Sequence, residues 1–243
     1  MDVALYESEE LHSVTGPFIR PGGLSLTDRA MDFCGFTADA AIVDVGCGSG
    51  GTVEHLLNVY GANVCGIDPS DALLAVGRNR SPLLPIKKGV AESLPFADRS
   101  ADGIFCECVF SILEDQAQAL REFARVLKPE GFLVITDVYL RSTSGTANRS
   151  SNTGCCVAGA RPMYELEEAL YKQGFSALLW EDHTLALKEL AVQLILSNGS
   201  LDGFFSPSCA AGSGSSMKAG RPGYFLLVAQ NCKDKWREKS WTT

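Results

Sequence analysis

Three short stretches carry residue types whose spacing suits a nucleotide-like cofactor. The first is Val43-Asp44-Val45-Gly46-Cys47-Gly48-Ser49-Gly50-Gly51, an apolar run that ends in a glycine turn. Glycine has no Cβ, so such a turn lets the backbone come close to a ligand and take angles that other residues resist. The second is Asp68, which ends the next apolar run. A carboxylate there can accept both hydroxyls of a ribose. The third is Gly89-Val90-Ala91-Glu92-Ser93-Leu94-Pro95-Phe96, at the spacing where an adenine would lie.

A glycine string alone is a weak signal. By letter, Gly46-Cys47-Gly48-Ser49-Gly50-Gly51 also fits the Gly-x-Gly-x-x-Gly fingerprint of dinucleotide enzymes, whose helix N-terminus faces a pyrophosphate. The surrounding residues argue against that reading. Asp44, two positions before the first glycine, suits a cofactor with an ammonium group rather than a diphosphate. The run from Ala91 to Phe96 has no role in the dinucleotide pattern.

The elements that must hold these residues alternate. Ala41 to Val45 reads as a buried parallel strand, and a helix is expected from about Gly51 to Tyr60. Further strands are expected at Asn63–Ile67, Ile86–Val90, Ala101–Cys106 and Phe132–Asp137, with helices at Ala72–Asn79 and Gln116–Leu127. The helix from Gln116 should stop at Lys128-Pro129-Glu130-Gly131. Ahead of them Ser25 to Phe33 has helical spacing, with a Ser or Thr available as N-cap. After Tyr139 come a Ser/Thr/Asn/Gly-rich loop at 141–154, a helix at Met163–Gln173 and another at Ala186–Leu196. A low-complexity stretch at 206–220 follows, and two apolar runs, Phe175–Trp180 and Tyr224–Ala229, could pair antiparallel. Such alternation implies a parallel sheet with helices on both faces. The division read from this pattern is a helical lead-in at 1–40 and one domain at 41–243, with variable segments at about 141–162 and 183–222.

The chain has 243 residues and a formal net charge of -8, enough for one domain with a buried core. An acidic chain without a Lys/Arg run would repel a phosphate backbone, so nucleic acid is not expected as a partner. The longest apolar stretches are only of strand length, so no membrane span is expected. The first residues lack a basic region followed by an apolar one, so a cytoplasmic location is the default expectation. Nine cysteines, several inside expected strands, do not have the layout of a small disulfide scaffold. The three histidines have no metal-ligand spacing, and no metal is expected.

Taken together, the glycine turn, Asp68, the Ala-Glu-x-Leu-Pro-Phe segment and Arg125-Val126-Leu127-Lys128-Pro129-Glu130-Gly131-Phe132 resemble the class I S-adenosylmethionine-dependent methyltransferases, in their ubiquinone/menaquinone-biosynthesis branch. The resemblance covers about residues 40 to 140. It implies a Rossmann-like three-layer α/β sandwich around a seven-stranded, mostly parallel sheet whose last strand is antiparallel. It implies transfer of the methyl group of S-adenosylmethionine to a small-molecule acceptor. Carried over by position, Gly46, Gly48 and Gly50, with Cys47 between them, would hold the methionine part of the cofactor. Asp44 would order its amino end, Asp68 would bind the ribose, and Ala91 and Glu92 would flank the adenine. The segment from Cys106 to Cys108 would run under the donor sulfur. Val90 stands where many relatives have an Asp that accepts the adenine amino group.

A second resemblance, to the arsenite methyltransferases, rests on Cys108-Val109, on Asp137-Val138-Tyr139 and on Gly154-Cys155-Cys156-Val157-Ala158-Gly159-Ala160. By position Cys108 and Cys156 match that family's metalloid-binding thiols, and soft thiolates suit trivalent arsenic. Two departures stand beside it. Residues 16–23 hold no cysteine where that family usually offers one, and Ala158 replaces a glycine. A third reading, a protein that binds the cofactor to sense or scaffold, would need no acceptor pocket. In the lead-in, Tyr6, His12 or Arg20 could touch cofactor or acceptor.

Overall fold

The structure is a computed structural model that describes residues 20–141, 159–198 and 221–232. Helix α1 (Leu24–Cys34) precedes a regular alternation: β1 (Ala41–Val45), α2 (Gly51–Tyr60), β2 (Asn63–Asp68), α3 (Asp71–Arg80), β3 (Ile86–Lys88), β4 (Ala101–Glu107), α4 (Gln116–Val126) and β5 (Leu127–Leu140). Beyond it lie β6 (Arg161–Pro162), α5 (Met163–Lys172), β7 (Phe175–Asp182), α6 (Thr184–Asn198) and β8 (Pro222–Asn231). The expected elements all form, within a few residues of the expected ends.

The strands line up as β3-β2-β1-β4-β5-β8-β7. Neighbours from β3 through β5 are parallel. β8 is antiparallel to both β5 and β7, so the two late apolar runs pair as expected, with Phe175 opposite Asn231. The two-residue β6 adds to this seven-strand path by pairing with the end of β5 at Tyr139 and Leu140. Side chains alternate across each strand, so the sheet separates two cores. Val43, Ile104 and Cys106 join Leu120, Phe123 and Leu166 of α4 and α5 on one face. Ile42 and Phe105 join Ala30, Leu56 and Leu74 of α1, α2 and α3 on the other. This is the three-layer sandwich.

Local chemistry sets the helix ends. The Ser70 hydroxyl accepts from Leu73 N–H at 3.1 Å and caps α3, and the Asp115 carboxylate caps α4 through Gln118 N–H at 2.8 Å. α1 departs from expectation. It starts from Gly23 without a side-chain cap, because the Ser25 hydroxyl instead donates to Gly22 O at 2.6 Å.

The expected break at Lys128-Pro129-Glu130-Gly131 also resolves differently. β5 begins at Leu127, directly after α4, and residues 128–131 leave the ladder as an excursion between the pairs Ala101–Leu127 and Gly103–Phe132. Glu130 takes a positive φ of 65° there. Proline offers no N–H to the ladder, so the strand accommodates it by bulging.

Candidate functional site

The site forms where the strand order reverses, between β1 and β4, outside the C-terminal ends of the parallel strands. In open α/β sheets this is where ligands bind. The turn after β1 is held shut by backbone bonds: Gly46 N–H and Cys47 N–H both donate to Ile67 O, at 2.7 and 3.0 Å. Gly46 has φ 76°. A Cβ there would lie 2.2 Å from Cγ2 of Val109, so the turn and the segment after β4 touch only because residue 46 is glycine.

Asp68, at the end of β2, is tied to the same turn. Its Oδ2 accepts from Gly48 N–H at 2.8 Å and its Oδ1 from Ser70 N–H at 2.8 Å. Each carboxylate oxygen can accept more than one hydrogen bond, so both can still receive a diol.

Behind the turn lies a buried polar ring. Arg20 pairs with Glu107 at 2.9 Å, and both side chains are under 10% exposed, 9% and 2%. The guanidinium also donates to the hydroxyls of Thr52 at 2.7 Å and Thr27 at 2.6 Å. Those hydroxyls in turn donate to the two oxygens of Glu107, at 3.1 and 2.9 Å. Asp44 sits beside this ring, almost completely buried. Burial first, and then the charge of Glu107, push the Asp44 carboxyl up to about 8, against a lowering pull from Arg20.

These groups line one cavity of about 530 Å³. Asp44, Asp68, Glu107 and residues 46–49, 89–92 and 107–109 all face it. The expected site residues Asp44, Gly46, Cys47, Gly48, Asp68, Ala91 and Glu92 therefore come together. Gly50 supports the turn from behind, with its N–H donating to Cys47 O at 2.8 Å. Val90, which departs from the Asp of the resembled family, borders the cavity with 44% of its surface exposed.

One placement needs correction. Cys106, expected beneath the donor sulfur, is fully buried in the core with Ile104 and Phe123 and does not line the cavity. Strand alternation turns it to the opposite side of β4 from Glu107, which does line the cavity. Glu107 was missed because it lay between two cysteines that drew the reading. Its signal was there: an acidic residue at the end of a buried strand needs a partner.

Cys108 does border the cavity. It has φ 58°, and its Sγ lies 3.1 Å from Oη of Tyr224, a buried side chain that also bonds the Thr136 hydroxyl at 3.1 Å. Asp137, at the end of β5, accepts from both the N–H and the hydroxyl of Ser111 at 2.7 Å, fixing the turn after β4. Burial pushes its carboxyl up to about 6 against those bonds. Cys156, Tyr6 and His12 lie outside the described residues. His55 pairs with Asp28 and His183 with Glu181. Among the described residues no group of three or more His, Cys, Asp or Glu could hold a metal ion, and no helix is long and apolar enough to cross a membrane.

This sheet order, with a glycine turn after β1 and an acid ending β2 over the same cavity, is that of a Rossmann-like methyltransferase fold. Residues 43–135 match the family described as "Methyltransferase domain". A demethylmenaquinone methyltransferase of Chlorobaculum parvum is 38% identical over 96 residues, 40% of each chain. An arsenite methyltransferase of Aquipseudomonas alcaligenes is 30% identical over 181 residues, 65% of this chain and 52% of that one. The chain thus spans about half the length of the curated relatives it matches, from 40% to 57%. A solved phosphoethanolamine N-methyltransferase 2 of Haemonchus contortus, in complex with S-adenosyl-L-methionine, shares the fold with a TM-score of 0.73. It is 19% identical and covers 96% of this chain and 58% of that one.

Proposed function

We propose that this protein transfers the methyl group of S-adenosylmethionine to a small-molecule acceptor, releasing S-adenosylhomocysteine. The observation that carries the reading is the Asp68 carboxylate, bonded to the glycine turn and facing the same cavity as Asp44. Two acids facing one cavity suit a ligand with a diol at one end and an ammonium at the other. The cavity of about 530 Å³ is of the size usual for small-molecule sites. When bound, the sulfonium supplies an already activated methyl group.

The chain's own residues then have three tasks. Asp68 orients the ribose, and Asp44 with the backbone of residues 46–48 holds the amino-acid end. The close fit of Gly46 against Val109 fixes the floor between donor and acceptor. In-line displacement needs alignment above all, and holding two reactants at contact distance is worth several powers of ten in rate. A base is required only for a weak, protonated nucleophile.

The metalloid and purely ligand-binding readings are not favoured. A thiol pair is what the metalloid reading needs. Cys108 borders the cavity, Cys106 is in the core, and Cys156 lies outside the described residues. The test is a radiolabelled methyl-transfer assay with two acceptors, a demethylated quinol and trivalent arsenic with a thiol reductant. Label transfer to either supports the reading. Tight cofactor binding with no transfer to these or to a broad panel of amines, phenols and thiols would contradict it.

A further inference from the structure

Every residue from Glu107 to Asp115 lines the cavity except Phe110 and Ser111. Those two belong to a single helical turn, Phe110–Ile112, and they engage Asp137 at the end of β5 instead. Ser111 N–H donates to Oδ2 of Asp137 and the Ser111 hydroxyl to Oδ1, both at 2.7 Å. Val138 N–H donates to Oδ1 at 2.7 Å, and the Phe110 backbone adds a further bond. A stretch of cavity wall is thus hung from one carboxylate that is only 1% exposed.

The other holds on this turn are weaker. Inside it, Ile112 N–H reaches Val109 O at 3.0 Å and Leu113 N–H reaches Phe110 O at 3.4 Å. From α4, Gln116 Nε2 donates to Phe110 O at 2.9 Å. All of these are neutral, whereas hydrogen bonds to an ionised carboxylate are roughly twice as strong. The turn also has little room to shift. Gly159 lies so close that a Cβ there would fall 1.7 Å from Ser111 O, and Val109 fills the space over Gly46.

Stability does not account for the charge. Burial pushes the Asp137 carboxyl up to about 6 in spite of its bonds, while an unfolded Asp titrates near ~3.9. Ionising it at neutral pH therefore costs the folded protein stability. Its titratable neighbours do not change charge in the same range. Burial pushes Cys106 of β4 and Tyr224 of β8 well above their ordinary values. Arg161 of β6, which shares a small pocket with Asp137 and Ser111, stays protonated. From α5 the neighbour is the apolar Leu166.

We propose that Asp137 is a positioning residue: its ionised carboxylate holds the turn after β4 where Val109, Ile112 and Leu113 complete the cavity wall, so that ligand affinity depends on that charge. Asp137 does not line the cavity itself and acts through Ser111. The proposal goes beyond the donor reading, which needs only Asp44, Asp68 and the glycine turn. It rests on that reading for the ligand that tests it.

The experiment is calorimetric titration of the full chain with S-adenosylhomocysteine, on the wild type, Asp137→Asn and Ser111→Ala, from about pH 5 to about pH 7.5. The quantity read is the ratio of variant to wild-type dissociation constants at each pH. Any change at Asp44 is common to the three proteins and cancels in that ratio. For Asp137→Asn the ratio is expected to be about tenfold at the upper end, from loss of charged hydrogen bonds, and to fall toward one at the lower end. There the wild-type carboxyl is itself protonated. Ser111→Ala should show the same trend, smaller. A role in stability alone would reduce the number of sites filled per chain and leave the ratio at one. A ratio of one throughout, or a raised ratio that does not change with pH, would overturn the proposal and leave the donor reading intact. If Asp137→Asn fails to fold, Ser111→Ala decides by the same criteria. Failure of the wild type to bind would overturn the donor reading and the proposal with it.

Discussion

Gly48 N–H donates to Oδ2 of Asp68 across 2.8 Å, binding the turn after β1 to the end of β2. The bond makes this acid part of the glycine turn's own architecture. Asp68 is thereby held in one place, and its second oxygen is fixed by Ser70 N–H. A ligand meeting this carboxylate finds it already oriented, which reduces the entropy lost on binding.

Removing the carboxylate should therefore affect folding as well as binding. Asp68→Ala leaves Gly48 N–H and Ser70 N–H without their acceptor, at a cost of roughly 1–3 kcal/mol. Chemical denaturation of the ligand-free protein checks this. A variant as stable as the wild type would show that the turn does not depend on Asp68.

Gly46→Ala should disable the site by geometry. The added Cβ would come within 2.2 Å of Val109, at a φ of 76° that L residues resist. The expected loss is about 2 kcal/mol or more of stability, together with cofactor affinity. Adding Val109→Ala relieves the clash but not the backbone angle, so recovery should be partial. Full recovery in the double variant would mean that the angle carries no strain.

The ligand-free protein should lose stability as pH rises from about 5 to 8. An unfolded Asp titrates near ~3.9, whereas Asp44 is pushed up to about 8 and Asp137 to about 6. Between those values the native chain binds more protons than the unfolded one, so the slope of stability with pH is negative. Both acids contribute below about pH 6, and Asp44 alone above it. Melting temperature measured across this range should fall, and Asp44→Asn should flatten the part between roughly pH 6 and 8. An unchanged slope in that variant would contradict the assignment.

Cys106→Ala separates the core from the cavity. It should cost about 1 kcal/mol of stability, since the side chain is fully buried. Cofactor affinity, read by calorimetry, should stay within twofold of the wild type. A drop of tenfold would place Cys106 at the donor after all.

Local signals made much of this molecule legible in its sequence. The turn from Gly46 to Gly50, Asp68 and the Ala91-Glu92 pair are each recognisable within a few residues, and strand alternation with helices gave the layers. What escaped depends on distance along the chain. The ring of Arg20, Thr27, Thr52 and Glu107 joins groups from distant parts of the chain, with Thr27 and Glu107 80 positions apart. The Asn231 side chain donates to Ala124 O at 3.2 Å, ending α4 from 107 positions away. The excursion at residues 128–131 was hidden for another reason. Pro129 and Gly131 signal a break, but only the pairing of β4 with β5 shows that the strand resumes through it.

The most direct test of the account is calorimetric titration with S-adenosylhomocysteine, comparing the wild type with Asp68→Asn, which keeps the shape and removes the charge. The account predicts one site per chain in the wild type, and an affinity at least tenfold weaker in the variant from loss of a charged hydrogen-bond acceptor worth about 1.5–3 kcal/mol. Equal affinity in the two proteins, or no binding to the wild type, would contradict it.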